Sequence, residues 1–376
     1  METFGQALRR LRKSVGLSQP GLARQVPVDQ STLSRWENGR IIPDSASMER
    51  LDQLLNARGQ LASFGAPAAL TVLDPPPDTA EPVTADYIDW LRHSITHLVT
   101  LDGQHGGAEL APMAARLFRT ASGRLASGEY SQAIERDFAA VVAELGEVAG
   151  WLAFDALQHE QARSLNLESL HLARLAGDRD MELFLLGNMA MQAQETGRPR
   201  ETLRTVQLME TFNLSPRMRI MTGIRRARAA ADLGDERAFE VLHRAQSDLS
   251  SSVHRTEPSW AWWINATEVQ SHEGGVWRAI GERSQAVDCY SAALESIAPR
   301  YRWGRFITGA NLINALVEVA DWPEAERIAA EVYTLASEVS SARAMHRIRT
   351  AADTAYRSGA PSTLEGMLTA LARRTT

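Results

Sequence analysis

Residues 17–40 read LSQPGLARQVPVDQSTLSRWENGR, a stretch that resolves into two short helices joined by a break. Ser18 is a natural N-cap, because its hydroxyl can accept from the unpartnered backbone N–H groups of a first helical turn. Leu22, Ala23 and Val26 then fall on one face at helical spacing, and Ala23 is small enough for another helix to cross close by. Pro27 has no N–H and disfavours helical backbone in the residue before it, so the first helix ends near Val26. Asp29 caps a second helix with Leu33 and Trp36 inward and Val28 closing the joint. Gln30, Ser31, Thr32, Ser34 and Arg35 are left on its outer side. These are groove-reading residue types: glutamine bonds adenine bidentately, arginine bonds guanine or phosphate, and short hydroxyl side chains suit a crowded groove edge.

The stretch resembles the helix-turn-helix of the phage-repressor-like (Xre-type) family through Leu17, Ser18, Gln19, Leu22, Ala23, Val28, Gln30, Ser31, Leu33, Ser34, Trp36, Glu37, Gly39 and Arg40. The resemblance implies that Gln19 contacts phosphate and braces Gln30, and that Gln30, Ser31, Ser34 and Arg35 meet base edges. Thr32, Asn38 and Arg40 complete the expected DNA-contacting set. The family usually carries a left-handed glycine in the turn, where this chain has Pro27, whose φ near −65° cannot supply that conformation. The plain alternative is a helical hairpin with a polar face.

Around this stretch, a helix is expected from Thr3 to Val15, with Phe4, Ala7, Leu8, Leu11 and Val15 inward and Arg9, Arg10, Arg12 and Lys13 outside. Those four cations read equally as a solvated face or as phosphate contacts. A fourth helix is expected from Asp44 or Ser45, with Met48, Leu51, Leu54 and Leu55 as its stripe, and a short fifth near residues 60–64. The family implies five short helices in this order, which sets a DNA-binding domain at 1–64.

The composition then shifts. Residues 65–86, GAPAALTVLDPPPDTAEPVTAD, hold five prolines and no helical period, and read as a semi-extended linker. Residues 87–376 read as helix after helix with recurring turns near 128, 157, 197, 234, 281, 320 and 359. Most intervals are about 37 to 40 residues, one is about 29 and one about 47, and such a period marks a solenoid of helix pairs. Gly281, Ala286, Tyr290 and Ala293 resemble a tetratricopeptide repeat; Gly128 with Ala133, and Asp321-Trp322-Pro323-Glu324-Ala325, repeat the pattern less completely. The fold class expected is therefore all-α: a five-helix head, a Pro-rich linker, and an α-solenoid of about six to seven tetratricopeptide-like pairs. This layout, with segments such as LDGQHGGAEL and ELGEVAGWLAFDAL, resembles a group of actinobacterial transcription regulators.

The 376-residue chain has a net charge of −6, yet residues 1–40 carry about seven Arg or Lys against three acids. A basic head on an acidic body is expected if only the head meets phosphate. A lone Cys289 excludes an internal disulfide, and no apolar run reaches the roughly 18 residues of a membrane span. Without a secretory signal, the expected location is the cytoplasm, at the nucleoid.

No catalytic set, cofactor motif or metal motif is present. His93 and His97 lie four apart without a third ligand, His159-Glu160 and His272-Glu273 read as surface or turn pairs, and Cys289 reads as packing. Gly103-Gln104-His105-Gly106-Gly107 lacks the Lys-Ser/Thr of a phosphate loop and reads as a helix breaker. Six of the nine tryptophans, Trp260, Trp262, Trp263, Trp277, Trp303 and Trp322, fall between residues 260 and 322, near the long interval SHEGGVWRAIGE. With Asn188, Asn265, Asn311 and Asn314 on expected first helices, residues Asn188, Trp262, Trp263, Asn265, Trp303, Asn311 and Asn314 form a candidate effector pocket. The plain alternative for the tryptophans is core packing. The sequence thus points to a non-enzymatic transcription regulator. Its partners are double-stranded DNA with a palindromic operator, a second copy of the chain, and a peptide or small-molecule effector. The alternative is a DNA-tethered protein–protein interaction scaffold without a small ligand.

Overall fold

Gly5 on the first helix sits where a Cβ would fall 2.6 Å from the carbonyl oxygens of Trp36 and Glu37, so the first helix and the end of the third meet backbone to backbone. This is a computed structural model, and it describes residues 4–26, 28, 30–38, 43, 45–55, 57, 61, 82–235, 237–238, 240 and 264–373. Seventeen α-helices occur among the described residues, in two compact units, 1–74 and 75–376.

The first unit contains α1 (Phe4–Ser14), α2 (Gln19–Gln25), α3 (Gln30–Glu37) and α4 (Ser45–Leu54). Ser18 caps α2 as expected, accepting from the Gly21 N–H at 3.1 Å. Leu8, Leu22, Leu33, Trp36, Met48 and Leu51 share one core, with Val28 packed at its edge. The inward face of α1 differs from its expectation, since Val15 is 44% exposed and Arg12 is buried. Leu54 likewise turns to solvent, while Asp52 is buried and accepts from the Leu61 N–H at 2.7 Å. The expected turn at Pro27, the fifth helix apart from buried Leu61, and most of the linker lie outside the described residues.

The second unit begins before the expected linker ends: Val83 is buried and its N–H donates to Glu129 O at 2.9 Å. Its helices are α5 (Ala85–His105), α6 (Ala111–Ser127), α7 (Glu135–Asp155), α8 (His159–Ala176), α9 (Arg179–Glu195), α10 (Pro199–Met209) and α11 (Pro216–Asp232). Then follow α12 (Ala266–Ala279), α13 (Arg283–Ser296), α14 (Arg302–Glu318), α15 (Trp322–Leu335), α16 (Ala342–Arg357) and α17 (Ser362–Ala372). Left-handed residues stand at 157, 197, 234, 281, 320 and 359, directly after α7, α9, α11, α12, α14 and α16. Gly128 ends α6 instead, which is the turn between two pairs. The anomalous interval of about 29 residues arose from mixing these two kinds of turn.

Within the pairs, small residues set the approach. Gly146 and Gly150 on α7 lie one turn apart, and a Cβ on them would fall 2.0 Å from Ser169 Oγ and 2.5 Å from Asn166 Oδ1 on α8. Ala286, Tyr290 and Ala293, read from the repeat pattern, are all buried.

The row of pairs closes on itself. Gly106, at φ +79°, ends α5 and lets the chain lie against Ser340, whose N–H donates to His105 O and whose carbonyl accepts from Ala108 N–H at 3.1 Å. Trp151 on α7 meets Trp303 on α14 edge to face at 5.3 Å, and Ser341 Oγ donates to Asp155 Oδ1 at 2.9 Å. Arg343 on α16 lies over Trp151, Phe154 and Trp303, with its Nε 3.6 Å from Asp155. The glycine-rich segment 103–107 is therefore a helix breaker, as expected, and also the joint at which the first pair meets the last two.

Candidate functional site

The outer side of α3 is held in place by a carboxylate on its inner side. Glu37, at the end of α3, is 4% exposed and receives Arg12 Nε at 2.5 Å and Nη2 at 3.1 Å. It also receives Gln19 Nε2 at 2.8 Å, while Arg9 Nε stands 3.5 Å away. Arg12 closes the set by donating Nη1 to Leu17 O at 2.8 Å. One side chain thus ties α1, the loop after it and the start of α2 to the end of α3. Burial alone pushes the Glu37 carboxyl up, but its bonds to Arg12 and Gln19 and the charges of Arg12 and Arg9 outweigh that and hold it below its ordinary value. The Glu37 bond raises Arg12 in turn.

Arg12 is therefore a structural ion, not a solvated or phosphate-facing one. The i, i+3, i+4 pattern placed it on the rim of the apolar face, and nothing in α1 alone signals a carboxylate 25 residues away. Gln19 donates its Nε2 to Glu37 Oε2 and so braces the end of α3. Gln30 and Arg35 are exposed, and Thr32 and Ser34 are half-buried beside them. Asn38 is exposed, but its Oδ1 accepts from Arg9 Nη2 at 2.6 Å and its Nδ2 points to Ser34 Oγ at 3.4 Å. The Ser31 side chain and Arg40 lie outside the described residues.

Residues 3–63 match a helix-turn-helix domain family model. No curated protein matches this chain. Among solved structures, the chain is similar to PlcR of Bacillus thuringiensis, crystallised with the peptide PapR7 and DNA. That likeness has 14% identity and a TM-score of 0.37, covering 78% of this chain and 93% of PlcR. A signal-transduction ATPase with numerous domains and a tetratricopeptide-repeat sensor, from Pyrococcus horikoshii, is similar at 11% identity with a TM-score of 0.40. That alignment covers 97% of this chain and 49% of the other.

In the second unit, the described candidate effector residues lie on α9 and α14 and at the start of α12. Asn188 on α9 is buried and donates Nδ2 to Glu147 Oε1 on α7 at 2.7 Å. Asn314 on α14 donates to Ala310 O at 2.9 Å and to Arg347 O on α16 at 2.8 Å, so its amide donors join neighbouring helices. Asn265 is the N-cap of α12, exposed, accepting from Glu268 N–H at 3.0 Å; it precedes its helix instead of lining it. Trp303 is 7% exposed and belongs to the closure described above, and Asn311 is half-buried. Trp262 and Trp263 lie outside the described residues.

The first helices of the pairs enclose a polar interior that the sequence did not announce. Glu268 keeps 40% of its side-chain surface accessible, and Tyr301 is 38% exposed. His272, expected at the surface or in a turn, faces inward from the middle of α12 and meets Glu268 Oε1 at 3.1 Å. The segment SHEGGVWRAIGE continues this helix to its end at Ala279. Trp151 Nε1 donates to Asp102 Oδ2 at 2.9 Å, and Asp102 Oδ1 has no partner. Burial, then the charge of Asp155, pushes Asp102 up to about 7. Burial likewise pushes Glu147 up to about 8 against the Asn188 bond.

Other candidate chemistry is ordinary. Burial pushes the Cys289 thiol up to about 12, so it is no activated nucleophile. His93 Nδ1 bonds its own helix at Asp89 O, and no metal-holding group of three His, Cys, Asp or Glu occurs among the described residues. Nor is any helix among them long and apolar enough to cross a membrane.

Proposed function

We propose that the chain is a sequence-specific DNA-binding transcription regulator of the Xre type, not an enzyme. In this reading α3 enters the major groove and the repeat unit senses an effector, carries the dimer contact, or does both. The observation that carries this is the two-sided build of α3. Its inner side is welded through Glu37 to α1 and α2, while Gln30 and Arg35 stand exposed on the outer side, free to meet base edges. A dimer on a palindromic operator would hold two such helices roughly 34 Å apart, one turn of DNA. An effector that shifts one repeat unit against the other then changes the fit to both half-sites.

The test is replacement of Gln30 and Arg35 by alanine, singly, with binding to a selected operator and to random DNA compared at fixed salt. Each lost bidentate contact is expected to cost about 1–3 kcal/mol of discrimination at one base pair. Unchanged sequence preference in both variants overturns the assignment.

A further inference from the structure

Three arginines are buried among the described residues: Arg12, Arg225 and Arg343. Arg12 lies on Glu37 and Arg343 on Asp155. Arg225, on α11 and 3% exposed, lies on no carboxylate. Among the described residues its polar contact is Nη1 to His272 Nε2 at 3.4 Å, and its Nε has no partner. That imidazole nitrogen also meets Glu268 at 3.1 Å, and one nitrogen cannot accept from Arg225 and donate to Glu268 together. One of the two contacts is always unmade.

Arg228, one turn further along α11, has no ion pair within 4 Å among the described residues. It lies along α12 where Gly275 leaves room: a Cβ there would fall 1.7 Å from Arg228 Nη1. The charges facing Arg225 are Glu268, Arg228, Arg343 and Glu195, those facing Glu195 are Arg347, Arg343, Arg228 and His272, and Arg228 also faces Asp232 and His272. Each acid in this set is already engaged. Glu195 pairs with Arg347 at 2.6 Å, Glu268 bonds the His272 imidazole, and Asp232 accepts from Gln194 Nε2. Burial lowers Arg225 to about 10, so it remains a cation at neutral pH. Neither guanidinium therefore has a carboxylate within 4 Å among the described residues, and Arg225 Nε is unpartnered, an arrangement that an arriving anion would relieve.

We infer that Arg225 and Arg228, beside His272, bind the carboxylate or phosphate group of a small anionic effector inside the repeat unit. The inference rests on reading that unit as the sensing part of the regulator. Bidentate donors from two guanidiniums suit either planar carboxylate or tetrahedral phosphate, and the imidazole supplies a third donor when protonated.

The test is thermal unfolding of the full chain with sodium phosphate or sodium citrate, against sodium chloride at matched ionic strength. At least one anion is expected to raise Tm saturably, by about 2–4 °C at ten times its half-saturating concentration. Which one does so identifies the headgroup. Arg228→Gln should raise the half-saturating concentration at least tenfold. Arg225→Met should abolish the response while leaving the anion-free Tm unchanged or higher, since it removes an unpaired buried charge. Absence of a saturable shift with both anions, or an unaltered shift in both variants, overturns the proposal. Operator binding by Gln30→Ala and Arg35→Ala is read separately. An intact operator preference without an anion response removes this site alone.

Discussion

In the head, one buried carboxylate collects Arg12 and Gln19 with Arg9 close by; in the repeat unit, half-buried Asp102 and buried Glu147 have one side-chain hydrogen bond each. The first arrangement fixes a charge by saturating it, and the result is a rigid weld beneath α3. The second leaves carboxyls pushed up to about 7 and about 8, so protonated and ionised forms coexist near neutral pH. A saturated ion pair suits a part whose shape must match DNA. An under-satisfied interior leaves atoms without partners that an incoming polar group could satisfy.

Glu37→Gln is the sharpest way to break this contrast. It leaves Arg12 buried without its counter-charge, and such a loss costs about 3–5 kcal/mol. Hydrogen exchange should show residues 4–38 opening, with α7 and α8 unchanged. Equal deprotection of both units would deny that the two are independently stabilised.

Gly146→Ala probes the other unit. The new Cβ meets Ser169 Oγ and the Phe118 ring in the tightest contact of α7, and overpacking of this kind costs about 1–3 kcal/mol. Here the expected outcome is a lower Tm for the repeat unit and unaltered exchange in the head.

The effects of pH run in opposite directions in the two units. Glu37 is held below its ordinary value, so its contribution is complete above the ordinary carboxylate pKa and is lost as pH falls through the lower folded value. Asp102 is raised, so its contribution is complete below the ordinary carboxylate range and is lost as pH rises through about 7. Asp102→Asn, which can still accept from Trp151, should therefore gain stability relative to the parent as pH rises from about 5 to 8. A constant difference across that range would show that Asp102 keeps one protonation state.

Much of the frame was legible in the chain. Ser18 as a cap, the core of Leu22, Leu33 and Trp36, the repeat turns at 157, 197, 234, 281, 320 and 359, and the buried Ala286, Tyr290 and Ala293 all follow from local rules. Capping, helical periodicity and left-handed turns are properties of neighbouring residues. The candidate DNA-reading face was legible for the same reason, since exposure of Gln30 and Arg35 follows from their position opposite Leu33 and Trp36.

What tertiary structure decided is which distant charges meet. Arg12 finds Glu37 across 25 residues, Asp155 finds Ser341 across 186, and Arg347 finds Glu195 across 152. The asparagines and tryptophan read as an effector clamp are mostly spent on such joints: Asn188 and Asn314 between helices, Trp303 in the closure. Periodicity tells a residue which side of its own helix it occupies. Only the closing of the helical row tells it what stands opposite, and that is what turns α11 arginines and an α12 histidine into neighbours.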